Sequence, residues 1–101
     1  MIVMHASFPI DPDERDRALS LIDDLVEQSQ AEDGTIEYRA TTDLDDPNVV
    51  RILEQYEDAA AFESHSQSDH LREFAEVLPE LLAGEPEVIR FEVESATEVD
   101  M

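Results

Sequence analysis

The chain has 101 residues, of which 42% are hydrophobic, and this suits a single domain, residues 1–101, around one core. It carries 27 acidic residues against 6 basic ones, a formal net charge of −21 at pH 7, which argues against DNA, RNA or an anionic membrane as partner. There is no cysteine, which excludes disulfides, thiolate metal sites and a cysteine nucleophile.

The first predicted element is a strand over residues 2–9, where apolar side chains alternate with a more polar set. The motif DPDE then indicates the start of a helix, with Asp11 as its N-cap and a proline in the first turn. Apolar residues continue at helical spacing, and we expect the helix to end near Glu32. Gly34 supplies the turn that follows it.

Two strands come next, over residues 35–42 and 49–57, separated by the turn motif DLDDPN. They alternate apolar and polar side chains, so a hairpin is predicted. Tyr38 lies on the apolar face of the first strand with Ile36 and Ala40. Glu54 and Tyr56 share the apolar face of the second strand.

Two helices and a last strand complete the pattern. Asp58 caps a short helix that carries Phe62 and His65, and Ser68 or Asp69 caps the next helix, which carries His70 and Phe74. The last strand, residues 87–94, is predicted to turn Ile89 and Phe91 towards the core. Residues 95–101 are predicted to form a loosely ordered tail.

The order β-α-β-β-α-α-β predicts an α+β fold of the ferredoxin-like split βαβ type, a four-stranded antiparallel sheet with helices on one face. The other sheet face mixes hydrophobic residues with Arg39, Arg51 and Arg90, half of the arginines in a chain that otherwise avoids basic residues. A solvated face is one interpretation. We favour a homodimer through this open face, with arginines matched to glutamates across a two-fold axis.

Three segments together resemble the antibiotic biosynthesis monooxygenase (ABM) family: RILEQYEDAAAFESHSQSDHLREF, EDGTIEYRATTD with its E-x-G-x-x-x-Y pattern, and LLAGEPEVIRFEV. The resemblance covers residues 2–94. It implies a dimeric α+β barrel with a pocket between sheet and helices. It also implies oxygenation of quinols or polycyclic phenols by O2 without metal or flavin.

Some members of that family degrade haem, and this chain departs from their pattern. Ser7 stands where they carry an asparagine, His65 where they carry a tryptophan, and Ala75 where they carry the iron-ligating histidine. The quinol monooxygenase branch is the nearer match, although Tyr56 replaces its usual tryptophan. Haem binding or degradation therefore remains a lesser alternative.

His65 and His70 raise the question of a metal site. On one continuous helix, five residues advance about 500°, which leaves the two rings about 140° apart. Only a break near Ser68 and Asp69 would let both rings converge, and a metal site with Glu54 as third ligand would then be possible. We do not expect a metal or any other cofactor.

Glu54 faces the core, where an unpaired carboxylate is costly and its pKa is raised. It either pairs with His70 or a helix N-terminus, or lines a polar pocket where it accepts a proton. His70 lies in the first turn of its helix, where the dipole favours the neutral ring.

These observations predict a cofactor-independent monooxygenase acting on a small aromatic substrate and O2. His70 is the expected base with Glu54 behind it, and Tyr38 and Tyr56 orient the substrate hydroxyl. His65 lies at the pocket edge. The expected aromatic walls are Phe62, Phe74 and Phe91. The alternative is a small-molecule binding or isomerising dimer without oxygen chemistry.

The acidic residues are spread along the whole chain, and every basic residue is an arginine. This pattern is typical of adaptation to molar salt, where the Debye length falls to roughly 3 Å and screens repulsion between carboxylates. No apolar run approaches the roughly 20 residues that span a bilayer. The N-terminus lacks the features of a signal peptide, so a cytoplasmic location is predicted.

Overall fold

The computed structural model describes residues 1–101 and confirms the predicted order of elements. A short 3-10 helix, Pro12–Glu14, precedes the first α-helix. The strands and α-helices are β1 (Ile2–Pro9), α1 (Arg15–Gln30), β2 (Thr35–Thr42), β3 (Val49–Tyr56), α2 (Ala59–Ser66), α3 (Asp69–Leu81) and β4 (Glu87–Glu92).

The four strands form one antiparallel sheet in the order β2-β3-β1-β4, which is the ferredoxin-like arrangement. Alternate residues of β1 and β3 are buried against the helices, as their period of two predicts. α1 packs on β2 and on α3, so the core lies between these helices and one sheet face. No helix combines the length and apolar composition needed to cross a membrane.

Capping residues determine where the helices begin, including the two helices that carry His65 and His70. Asp58 accepts a hydrogen bond from Ala61 N at 2.8 Å and starts α2, and Ser68 accepts one from Leu71 N at 3.3 Å and starts α3. Asp11 caps the short 3-10 helix, accepting from Asp13 N, and the α-helix begins at Arg15. The helix that was predicted to begin at Asp11 therefore consists of a short 3-10 helix followed by α1.

Gly34 makes the turn between α1 and β2 with φ of +83°, a conformation that L side chains rarely adopt. A Cβ at this position would stand 2.6 Å from Ala61 Cβ in α2. The turn therefore lies directly against α2. This close approach carries Glu32, two residues earlier, towards the two helices that hold the histidines.

A bulge alters the start of β2. The pairing of β2 with β3 shifts register between Thr35 and Glu37, after which Tyr38 lies opposite Glu54. Tyr38 is buried as predicted, but the side chain of Ile36 is 51% exposed. The expectation that Ile36 shares the core face is wrong because the bulge displaces the alternation there.

The prediction that Ile89 and Phe91 of β4 face the core is also wrong. In the β1–β4 register Phe91 lies opposite Val3 and Ile89 opposite His5, both on the sheet face away from the helices. Arg90 lies opposite Met4 on the helix side, with its guanidinium 5.3 Å from the centre of the Phe62 ring. β4 is an exposed edge strand without a helix over it, so burial does not determine which of its faces is apolar.

Candidate acid-base site

Two histidines and one glutamate meet at the end of α1. Glu32 Oε2 lies 2.8 Å from Nδ1 of His65 and 2.7 Å from Nε2 of His70. A carboxylate oxygen only accepts, so both ring nitrogens donate to it. One carboxylate thus fixes both rings, whose centres are 6.1 Å apart.

The break between α2 and α3 makes this convergence possible. α2 ends at Ser66 and α3 begins at Asp69, so the two histidines lie on different helices. The Ser68 hydroxyl donates to His65 O at 2.7 Å while it accepts from α3, which fixes the corner between the helices. The predicted break is confirmed.

Glu54 continues the cluster into the core. Its Oε1 accepts a hydrogen bond from the Tyr56 hydroxyl at 2.6 Å and lies 3.8 Å from Nε2 of His65. Glu54 is not the partner of His70, because Glu32 occupies that position. The expectation of Glu54 directly behind His70 is therefore wrong, and the two are connected only through His65 and Glu32.

Burial changes the acidity of three groups in this cluster. Burial raises the pKa of Glu54, although the Tyr56 hydrogen bond and His65 oppose the rise. The pKa values of Tyr38 and Tyr56 are also raised, first by burial and then by the nearby charge of Glu54. Both phenols are therefore harder to ionise in the folded protein than in water.

The aromatic residues surround the cluster unequally. The centre of the His65 ring lies 5.3 Å from that of the Tyr38 ring and 5.4 Å from that of the Tyr56 ring. The centre of the Phe62 ring lies 5.4 Å from that of Tyr56, and the centre of the Phe74 ring lies 6.3 Å from that of Phe8, both in edge-to-face packing. Phe91 lies on the opposite face of the sheet, so its predicted place as a wall of this site is wrong.

The cluster is closed except at one end. Tyr56, His65 and Tyr38 are 0%, 1% and 2% exposed and fill the space expected to be an open pocket. His70 instead lines a groove of about 300 Å³ between α1 and α3, together with Leu21, Asp24, Leu25, Gln28, Glu73, Phe74 and Val77. His70 and Phe74 are thus the only predicted site residues on this groove.

A larger cleft of about 480 Å³ lies between α1 and the β2–β3 hairpin. It confirms space between sheet and helices, but none of the predicted site residues lines it. Its only titratable lining residue is Asp23; the rest are Leu19, Ser20, Ile22, Val26, Ala40, Thr41, Thr42 and Val50. It therefore offers little for proton transfer.

Glu32 is the residue that the sequence prediction missed. It is one of 27 acidic residues, and nothing in local periodicity distinguishes it from the others. The available signal was the pattern E-x-G-x-x-x-Y, which places Glu32 two residues before the Gly34 turn and six before Tyr38. Since that turn packs on α2, the glutamate beside it reaches the histidine helices.

The fold and the cluster together define an α+β ferredoxin-like protein with a buried chain of acid-base groups that ends at a groove. The family model for antibiotic biosynthesis monooxygenase matches residues 1–77. The chain belongs to the antibiotic biosynthesis monooxygenase family.

One relative and two solved structures show how similar this chain is to other proteins. The chain is 32% identical over 93 residues to "Putative monooxygenase YcnE" of Bacillus subtilis, which covers 92% of this chain and 98% of that protein. A conserved protein from Methanosarcina mazei has 28% identity, 89% coverage of both chains and a TM-score of 0.85. A Deinococcus radiodurans protein described as "a putative antibiotic biosynthesis monooxygenase" shares the fold over 100% of both chains, at 18% identity and a TM-score of 0.92.

Proposed function

We propose that this protein is a cofactor-independent monooxygenase that oxidises a quinol or a polycyclic phenol with O2. The observation that carries the proposal is the hydrogen-bonded pair of His70 and Glu32, in which His70 lines a groove whose lining is half hydrophobic and half polar. The groove volume of about 300 Å³ lies at the lower end for ligand sites.

His70 is the proposed general base. Its Nε2–H donates to Glu32, which leaves Nδ1 as the nitrogen that can accept a proton. Glu32 fixes the tautomer and stabilises the imidazolium that forms, the role that a carboxylate has in hydrolase triads. Glu32 is thus a positioning residue, and His65 fixes it from the other side.

The reaction requires little beyond deprotonation, orientation and exclusion of water. The phenolate or enolate passes one electron to O2, and the two radicals combine into a C–OOH group. At a substrate CH2, loss of water then leaves C=O and transfers one oxygen atom to the carbon. The substrate supplies all four electrons, so the step needs no external reductant.

The buried residues have a supporting role in this proposal. Tyr56 donates to Glu54, and Glu54 faces His65, so a polar chain leads from the core to Glu32. Tyr38 and Tyr56 are too deeply buried to meet a substrate in the groove directly. Their predicted contact with a substrate hydroxyl would require the groove to extend inwards when the ligand binds.

Oxygen uptake tests the proposal. Purified protein is offered hydroquinones and anthrones in molar KCl, with chelator and without flavin, and O2 consumption is compared with autoxidation. We expect uptake above autoxidation for at least one substrate, with one O2 consumed per oxygenated product. Uptake no faster than autoxidation across the panel, from protein with a folded circular dichroism spectrum, would contradict the proposal.

The same base also suits a second function without oxygen chemistry. A His–carboxylate pair at a small groove can move a proton within a bound molecule, as an isomerase requires. This candidate keeps the groove and His70 but consumes no O2. Ligand-dependent exchange of a substrate C–H proton with D2O, without uptake, would favour it.

We also propose a homodimer through the open sheet face. Leu53 and Phe91 are 39% and 46% exposed there, beside Val3 and Ile89, an apolar patch on a chain of net charge −21. A second copy is the proposed partner because the patch extends over the central strands β1 and β3, and a two-fold axis would place the patch of one copy against the same patch of the other. Arg39 and Arg51 border it, each already paired within the chain, with Glu37 and Asp43.

Leu53→Asp is expected to convert the dimer to monomers, since two added carboxylates would face each other across the axis. Light scattering in molar KCl measures the mass of the wild type and the variant. Val88→Asp is the matched control, because Val88 is 56% exposed on the same sheet but pairs with Ala6 on the helix side. A monomeric wild type, or a Leu53→Asp protein that stays dimeric, would contradict the assigned face.

A further inference from the structure

We propose that Glu32, His65 and His70 form a binding site for a divalent transition-metal ion. Their donor atoms, Oε2, Nδ1 and Nε2, all lie within 4.8 Å of one another. Two imidazole nitrogens with one carboxylate oxygen are a donor set that zinc and non-haem iron use in proteins. This inference goes beyond the proposed function and does not rest on it.

The donor types set the class of ion. Mg²⁺ and Ca²⁺ prefer oxygen ligands, which the many surface carboxylates of this chain supply everywhere. Imidazole nitrogen suits Zn²⁺, Co²⁺ and Fe²⁺ instead. His65 and His70 are the only two histidines that converge, since His5 lies on the opposite face of the sheet. Only this cluster therefore lets two imidazole nitrogens of one chain bind the same ion.

The exposure of the three side chains is compatible with the small rearrangement that a bound metal ion requires. Metal–nitrogen and metal–oxygen bonds of about 2.0–2.2 Å keep donors on one ion about 3.0–3.5 Å apart. Glu32 must therefore withdraw slightly from both rings, and the ring nitrogens must approach each other. The His65 side chain is only 2% exposed and fixed by packing, whereas those of Glu32 and His70 are 16% and 20% exposed and can adjust.

Glu54 gives the site a second layer. It lies 3.8 Å from Nε2 of His65, the ring nitrogen not used in the proposed site. When Nδ1 binds a metal, the ring proton moves to Nε2. The Nε2–H group can then donate a hydrogen bond to the Glu54 carboxylate. A carboxylate behind a metal-bound histidine is the usual arrangement, and it fixes the tautomer and the ring plane.

Titration with Co²⁺ tests the proposal in molar KCl with excess Mg²⁺, which occupies the surface carboxylates. We expect one Co²⁺ per chain, with visible d–d absorption that reports nitrogen ligands. Glu54→Gln should weaken binding by about 10–100-fold, and Glu32→Gln and His70→Ala should weaken it further. His5→Ala is the matched control and should bind as the wild type does. No stoichiometric binding, or binding that the Glu32 and His70 variants leave unchanged, would overturn the site.

A second measurement uses only the wild-type protein, so it does not depend on whether any variant folds. Zn²⁺ added to ¹⁵N-labelled wild-type protein should move the His65 ring proton from Nδ1 to Nε2, which long-range ¹H–¹⁵N spectra resolve. A His65 ring that keeps its Nδ1 proton at saturating Zn²⁺ would overturn the proposal. Neither experiment measures oxygen chemistry, so a negative result here leaves the proposed monooxygenase untouched.

Discussion

Replacing His70 with alanine is expected to lower the rate of oxygen uptake by about 10²–10⁴-fold, the usual contribution of a general base. The imidazole is the only nitrogen base on the groove, and its Glu32 partner is already in place. Uptake is measured on the best substrate of the hydroquinone and anthrone panel, from low to saturating substrate. The loss should fall mainly on kcat, since the base acts in the transition state.

His5→Ala is the matched control, because it removes a histidine from the opposite face of the sheet and should leave uptake unchanged. Glu32→Gln should lower kcat by less than His70→Ala, since the amide oxygen can still accept from the ring but cannot stabilise the imidazolium. The His70→Ala protein must first match the wild type in thermal unfolding. A folded His70→Ala protein with wild-type turnover would remove His70 from the mechanism.

The fold is expected to lose stability steeply above pH 10 because of its two tyrosines. Tyr38 and Tyr56 have pKa values raised above their ordinary 10.0, first by burial, so only the unfolded chain ionises them there. Their neutral forms favour the folded state, and this contribution is complete below pH 10 and lost above it. Each phenol lowers the free energy of unfolding by about 1.4 kcal/mol per pH unit, or about 2.7 for both.

The composition of the chain allows the alkaline transition to be assigned to these two tyrosines. The chain has no lysine or cysteine and only these two tyrosines, so no other side chain titrates in the same alkaline range. Phenolate absorbance and circular dichroism are followed together as pH rises, and both should change in one transition. Tyr38→Phe and Tyr56→Phe should each remove about half of the pH dependence. Phenolate absorbance that appears while the fold persists would contradict the placement of both rings.

The element order was predictable because each signal is local. Asp58 and Ser68 cap their helices through hydrogen bonds to nitrogens three residues away, and Gly34 makes its turn through its own backbone. The alternation in β1 and β3 is visible in sequence because helices cover one face of these central strands. The sequence therefore predicts the fold class, the break between α2 and α3, and the inward direction of Glu54 and Tyr56.

Prediction failed where no helix covers a strand or where pairing is long-range. β4 is exposed on both faces, so its apolar pattern carried no information, and its register with β1 placed Phe91 outward. Tyr38, Glu54, Tyr56, His65 and His70 were all singled out from the sequence, and the structure brings them together. How these residues connect was wrongly predicted.

The sequence by itself determined which residue types could transfer protons and which elements carry them. Only the tertiary structure decided that Glu32, 33 and 38 residues before its partners, connects the two histidines. The local pattern E-x-G-x-x-x-Y marks the turn at Gly34, but only the packing of that turn against Ala61 of α2 brings Glu32 to the histidine helices. Strand and helix periods are fixed by neighbouring residues, whereas the partner of a buried charge depends on how distant segments pack.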